Sequence, residues 1–212
     1  MVLAKADFSG YKYASAGLNS SHDYLLPKVS ELLSEQLKLD GRQRIFELGC
    51  GNGSVGNYLH TLGWDVTGVD SSTEGVALAQ SAYPNVKLEQ GSAYDDLPRK
   101  YGQFPVVLSL EVVEHLYAPR IFARNLYEML ESGGSAIVST PYHGYWKNLV
   151  LAVSGKMDSH FTALWDHGHI KFWSQKTLTA LLEEVGFVGI EFHRVGRIPM
   201  LAKSMIAVAH KP

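Results

Sequence analysis

The residues best placed to do chemistry lie in Ile45–Gly56. There Glu47-Leu48-Gly49-Cys50-Gly51-Asn52-Gly53-Ser54 joins an apolar run to a helix-like one. Three alternate glycines permit a tight turn and let a ligand approach the backbone. The start of the following helix turns N–H groups towards that ligand. Asp70 ends the next apolar run, 21 residues after Gly49, where an acidic side chain grips a ribose hydroxyl pair. Gly51, Gly53 and Gly56 also satisfy G-x-G-x-x-G, so an NAD(P)-dependent oxidoreductase competes. Glu47 weighs against it: a carboxylate at the strand end repels a pyrophosphate and attracts a cation. S-adenosylmethionine, with an ammonium and a sulfonium and no phosphate, suits Glu47 better.

Two further groups of residues have chemical potential. Glu111, Glu114 and His115 follow an apolar run. If helical, Glu111 and His115 are i, i+4 partners. Three readings stay open: local support of a helix start, a general base or acceptor-orienting group, and a divalent-metal site. The metal-free readings are favoured, and no resident metal is expected. The second group is the segment Pro141 to Trp173, which holds Trp146, Trp165 and Trp173 with His143, His160, His167 and His169. It is too long for an ordinary connection, and long loops above a rigid sheet carry specificity. His143, His167 and His169 are candidate bases for removing an acceptor proton, with His115 next. His167-Gly-His169 has no nearby cysteine and no second pair at metal-finger spacing, so a structural zinc is not expected there.

The elements that must position these residues follow from the rhythm of the chain. Strands are expected at Arg44–Leu48, Asp65–Asp70, Val86–Gln90, Val106–Leu110 and Ser135–Thr140. Helices are expected at Ser54–Leu62, Ser72–Ala82 and Ala118–Leu130 between them. Such alternation makes right-handed βαβ units and a parallel sheet. Ser20 to Lys38 reads as an earlier helix with Ser20 and Ser21 as capping candidates, after an irregular polar arm. A later helix runs from the Ser174 cap through Val185 and stops at Gly186. Strands near Val188–Val195 and Ser204–Ala209 close the chain as an antiparallel edge pair. The expected fold is α/β: a Rossmann-like, seven-stranded, mostly parallel sheet with helices on both faces, in one domain. Within it, residues 1–43 form an arm and helix, 44–141 the cofactor core, 142–173 a lid and acceptor insertion, and 174–212 a helix and strand pair.

Glu47-Leu-Gly-Cys-Gly-Asn-Gly resembles the first motif of class I S-adenosylmethionine-dependent methyltransferases, and Val66-Thr-Gly-Val-Asp70 their second. Gly91-Ser-Ala-Tyr-Asp-Asp-Leu and Val107-Leu-Ser-Leu-Glu-Val-Val-Glu-His115 resemble the blocks after the third and fourth strands. The chain is also similar to the ubiquinone-biosynthesis O-methyltransferase and type 11 methyltransferase group, where a similar E-x-x-E-H stretch is associated with a metal ion. The resemblance implies that Glu47, Gly49, Gly51 and Gly53 surround the methionine part of the cofactor. It places Asp70 at the ribose, Ser71 beside the adenine, Ser92 and Ala93 against the base, and Leu110 near the ligand. Ser92 departs from the acidic residue that many relatives carry there. The reaction implied is methyl transfer to a small-molecule acceptor, with oxygen favoured. A non-catalytic S-adenosylmethionine-binding regulatory module is the remaining alternative.

The bulk properties narrow the partners. The 212 residues carry a formal charge of -2, so nothing drives general binding to a phosphate backbone and no nucleic-acid partner is expected. Cys50 is the single cysteine, which rules out an internal disulfide and fits a reducing, cytoplasmic setting. Met1–Gly10 lacks the apolar segment of a signal peptide. Trp146–Lys156 is apolar with Trp and Lys at its edges. It fits a helix packed on the domain or one in weak peripheral contact with a membrane, and the ubiquinone-pathway relatives have an apolar segment here too.

Overall fold

The computed structural model describes residues 13–40, 43–165 and 168–212. Helix α1 (His22–Asp40) precedes β1 (Arg44–Leu48), α2 (Ser54–Thr61), β2 (Asp65–Asp70), α3 (Thr73–Ala82) and β3 (Lys87–Gln90). Then come α4 (Leu97–Tyr101), β4 (Phe104–Leu110), a single 3₁₀ turn (Val113–His115), α5 (Pro119–Glu128) and β5 (Leu130–Pro141). Helices α6 (Tyr145–Val153), α7 (Met157–Phe161) and α8 (Gln175–Glu184) lead to β6 (Val188–Val195) and β7 (Ser204–His210). The strands form one sheet in the order β3-β2-β1-β4-β5-β7-β6. Strands β1 to β5 pair in parallel, and β7 runs antiparallel between β5 and β6.

Adjacent residues on each strand feed opposite cores, which is why the central strands are mostly apolar on both faces. Phe46, Val107, Val138 and Ala207 pack with α5 and α8 through Phe122, Leu126, Leu178 and Leu182. Ile45, Val106, Ile137 and Ile206 pack on the other face with α1 and α2 through Leu25, Val29, Val55 and Leu59. Helices therefore cover both faces of a mixed, mostly parallel sheet, as the alternation of elements requires.

The local signals act where expected, with informative exceptions. Ser174 and Thr177 form a capping box at α8, and Gly186 (φ 107°) ends the helix region. At α1 the capping side chain is Asn19, not Ser20 or Ser21. Its Oδ1 accepts from the N–H groups of Ser21 and His22 at 2.9 and 3.3 Å. Strand β5 begins at Leu130, paired with Phe104, rather than at Ser135. The expected antiparallel pair closes the sheet, with β7 as its inner strand and β6 as the edge. Among the described residues, no helix is long and apolar enough to cross a membrane.

Candidate active site

In a parallel sheet of this kind the ligand crevice lies beyond the carboxyl ends of the strands, where the strand order reverses. Here β1 lies between β2 and β4, and a cavity of about 360 Å³ opens at that end. Its lining includes Glu47, Gly49, Gly51, Asp70, Ser71, Ser92, Ala93 and Leu110. The motifs separated along the chain thus converge on one place.

Gly49, Gly51 and Gly53 all have positive φ, at 89°, 51° and 75°, a region that favours glycine. Gly49 and Gly51 face the cavity. Gly53 does not line it and departs from its expected place around the cofactor. It is the left-handed N-cap of α2, and a Cβ there would meet Leu88 and Ala79 in the core. Its role in this structure is turn geometry and packing.

Asp70 is held by the loop it serves. Its Oδ2 accepts from the Gly51 N–H at 2.9 Å and its Oδ1 from the Ser72 N–H at 2.8 Å. Glu47 sits at the end of β1 with 2% of its surface exposed, and its Oε2 has no hydrogen-bond partner. Burial, then the Asp70 charge, push its carboxyl up to about 8 against the Gly56 N–H, which favours ionisation. A buried, partnerless carboxyl oxygen costs about 1–3 kcal/mol, and a cationic ligand relieves that cost. A buried carboxyl without a partner at Glu47, a second carboxylate at Asp70 and a mixed polar and apolar wall suit a ligand that carries a cation and hydroxyl groups.

The stretch after β4 is not helical from Glu111. That residue has φ 56°, which breaks the expected i, i+4 relation with His115. Its carboxylate turns to the sheet, accepting from Ser139 Oγ at 2.8 Å and Ser204 Oγ at 3.3 Å. Burial, the largest cause, holds it raised to about 7, with the two serines and Lys147 acting against. Glu114 instead keeps company with His115 and His169, whose ligand atoms all lie within 4.8 Å of one another. Two imidazoles and a carboxylate are a donor set for a transition metal. They differ from the Glu111, Glu114 and His115 set considered from sequence. Glu114 is 1% exposed and its Oε1 lacks a hydrogen-bond partner. Burial, then Glu111, raise its carboxyl well above the usual range.

The insertion is stitched onto this turn. Ile170 and Lys171 N–H groups both donate to the Glu114 carbonyl at 3.0 Å, and Trp173 Nε1 donates to the Val113 carbonyl at 3.3 Å. His115 Nδ1 lies 3.2 Å from the Gly168 carbonyl. A carbonyl only accepts, so in this contact His115 Nδ1 is the donor. His169 stands edge-on to His115 at 4.9 Å between ring centroids. Burial, then the His115 and His160 charges, lower it to about 4, which keeps it neutral.

The four histidine candidates therefore separate. His115 and His169 line the cavity at the strand ends, and His169 with Trp165 also lines a second cavity of about 350 Å³ bounded by Tyr117, Phe161 and Ile170. His143 is outside both. It stacks on Phe161 at 5.9 Å and meets Phe172 edge-on at 5.1 Å. Burial, then Lys147, lower it to about 4, and it reads as a packing residue of the insertion. His167 lies outside the described residues. Helix α6 has no fully buried residue, but one side of it is half-buried at Lys147, Asn148 and Leu151, and Lys147 Nζ donates to the Lys203 carbonyl at 3.3 Å. Tyr13, Asn19 and His22 also line the first cavity. The sequence reading passed over them because the arm has no apolar period.

Residues 21–191 match the family described as a methyltransferase domain. A ubiquinone biosynthesis O-methyltransferase of Azorhizobium caulinodans is 35% identical over 153 residues, covering 70% of this chain and 58% of the relative. The chain thus spans under two thirds of that relative's length. Among solved structures, the [4+2]-cyclase SpnF superposes with a TM-score of 0.65 at 16% identity, covering 87% of this chain and 81% of its own. A Haemonchus contortus phosphoethanolamine N-methyltransferase in complex with S-adenosyl-L-methionine gives 0.59 at 15%, covering 81% and 49%. At such identities these structures share the fold alone. The family match leaves no ground for the dinucleotide oxidoreductase reading, and this chain belongs to the S-adenosylmethionine-dependent methyltransferase domain family.

Proposed function

We propose that the chain transfers a methyl group to an oxygen of a small phenolic acceptor. The observation that carries this is His115. It lies on the wall of the first cavity, its ring is anchored to the Gly168 carbonyl through Nδ1, and it stands against the two residues shared with the second cavity, His169 and Trp165. S-adenosylmethionine supplies, when bound, a methyl group already activated on a sulfonium. The protein has only to align the acceptor, exclude water and take a proton.

In this reading residues 142–173 form the lid and acceptor wall, with 44–141 as the cofactor core. His115 accepts the acceptor hydroxyl proton. His169 resists protonation, so it serves as a neutral wall and hydrogen-bonding group rather than the base. The Glu114 carboxyl, 4.0 Å from His169, stabilises positive charge on the imidazole pair once it is ionised. A phenol gains more from such a base than an amine does, and the relative's name points the same way.

The test is methyl-labelled S-adenosylmethionine offered with matched phenols, catechols and amines, with the label located by mass spectrometry. Label on a phenolic oxygen is expected, at a rate cut by about 10²–10⁴ in His115→Ala. Label on nitrogen or carbon alone, or a fully active His115→Ala, contradicts the proposal.

A further inference from the structure

Residues 13–17 are not held by a core. Ala14, Ser15 and Gly17 are exposed, and Tyr13 and Ala16 are half-buried. Side-chain donors from elsewhere hold their carbonyls instead. Asn52 Nδ2 donates to the carbonyls of Ser15 and Gly17 at 2.9 and 3.0 Å. Tyr83 Oη donates to the carbonyl of Ala16 at 2.5 Å. Three consecutive carbonyls are therefore gripped by two separate elements, the glycine loop after β1 and the C-cap of α3. Asn52 is buried and set in place for this task. Its Oδ1 accepts from the Ser54 N–H and Oγ–H at 3.2 and 2.8 Å, which turns its amide group to the arm.

Tyr13 ends the gripped segment over the glycine loop. A Cβ on Gly51 would lie 2.5 Å from its Oη, and one on Gly75 would lie 2.8 Å from its ring. Its ring rests on both glycines while lining the cavity with Asp70 and Ser71.

We infer that residues 13–17 are a strap over the cofactor cavity, in which Tyr13 covers the bound cofactor and Asn52 and Tyr83 form the latch that keeps it shut. This rests on the S-adenosylmethionine reading of the cavity. A segment held by a few hydrogen bonds opens far more readily than one held by apolar burial. Cofactor exchange then proceeds through the open strap, in both directions. Tyr83 stands outside the cavity lining, so Tyr83→Phe removes a latch bond and leaves the ligand contacts in place. Losing one such bond raises the open population about 2- to 10-fold.

Stopped-flow binding of S-adenosylhomocysteine to the whole chain tests this, with chymotryptic cleavage after Tyr13 as a second readout. Tyr83→Phe is expected to raise association and dissociation rates together by about 2- to 10-fold, with Kd within about two-fold. Cleavage after Tyr13 should quicken in that variant and slow on adding S-adenosylhomocysteine. Tyr13→Ala should weaken Kd, because a covering contact is lost. Unchanged rates in Tyr83→Phe overturn the strap. Faster dissociation alone with weaker Kd also overturns it, because Tyr83 then merely supports α3. Absence of S-adenosylhomocysteine binding to the wild type overturns the cofactor reading itself, and the strap's function with it.

Discussion

Glu47 gives the most quantitative expectation. In the free protein its carboxyl titrates at about 8 because burial and the Asp70 charge oppose ionisation. A ligand that brings an ammonium and a sulfonium favours the carboxylate, so binding below that pH must expel the proton. For one group at about 8, the competent fraction rises about twenty-fold between about pH 6 and 7.5. Affinity for S-adenosylhomocysteine, whose ammonium remains, should rise by the same factor, or about 1.8 kcal/mol. Calorimetry at pH 6.5 in two buffers of different ionisation enthalpy should count close to one proton released per ligand. Glu47→Gln should bind more weakly, release almost none, and show a nearly flat pH dependence in this window. His22, His115 and Asp70 share the cavity, so the variant isolates Glu47 from them. Equal proton release by wild type and Glu47→Gln would refute the reasoning.

The same raised carboxyls set the stability of the free protein. Folded values above the unfolded one at Glu47, Glu111 and Glu114 give stability that is fully present below the unfolded carboxylate pKa and lost as pH rises towards 8. His143 and His169, lowered to about 4, act in the opposite sense below about pH 6.5, so Tm of the free protein should fall from about pH 6.5 to 8, less steeply with excess S-adenosylhomocysteine; a rising Tm in that window would contradict the burial argument. Asp70→Asn should weaken S-adenosylhomocysteine binding by about 1–3 kcal/mol, and an unchanged Kd in a folded variant removes Asp70 from the site. His169→Ala should raise the acceptor KM more than it lowers kcat, whereas His143→Ala should lower Tm and leave cofactor Kd unchanged; a large kcat loss in either would reassign the base. Activity should survive exhaustive chelation, and loss restored by added magnesium or zinc would show that Glu114, His115 and His169 hold an ion.

Much of the fold was legible because its signals are local. Strands Arg44–Leu48, Asp65–Asp70 and Val188–Val195 have the bounds that their apolar patterns and turn residues suggest, and Ser174 and Gly186 punctuate α8 by capping chemistry. The side chains that line the cavity at the strand ends were legible for a related reason: a turn that needs glycine and a strand end that carries a carboxylate restrict residue type strongly. What escaped depends on distant contacts. Leu130 joins β5 because Phe104 is there to pair with it, and Glu111 leaves the helical path to meet Ser139 and Ser204 from two other strands. Asn19, rather than the adjacent serines, caps α1 through local geometry that spacing does not reveal. The division of the histidines was least legible, since His143 and His169 are alike in sequence and differ only in which cavity, if any, the folded insertion presents them to.

The most direct test of the central claim is calorimetric titration of the chain with S-adenosylhomocysteine and, separately, with NAD and NADH. Micromolar binding of the first, on the order of -8 kcal/mol, and no comparable heat from the dinucleotides is the expected result. Tight NADH binding with no response to S-adenosylhomocysteine would contradict the account.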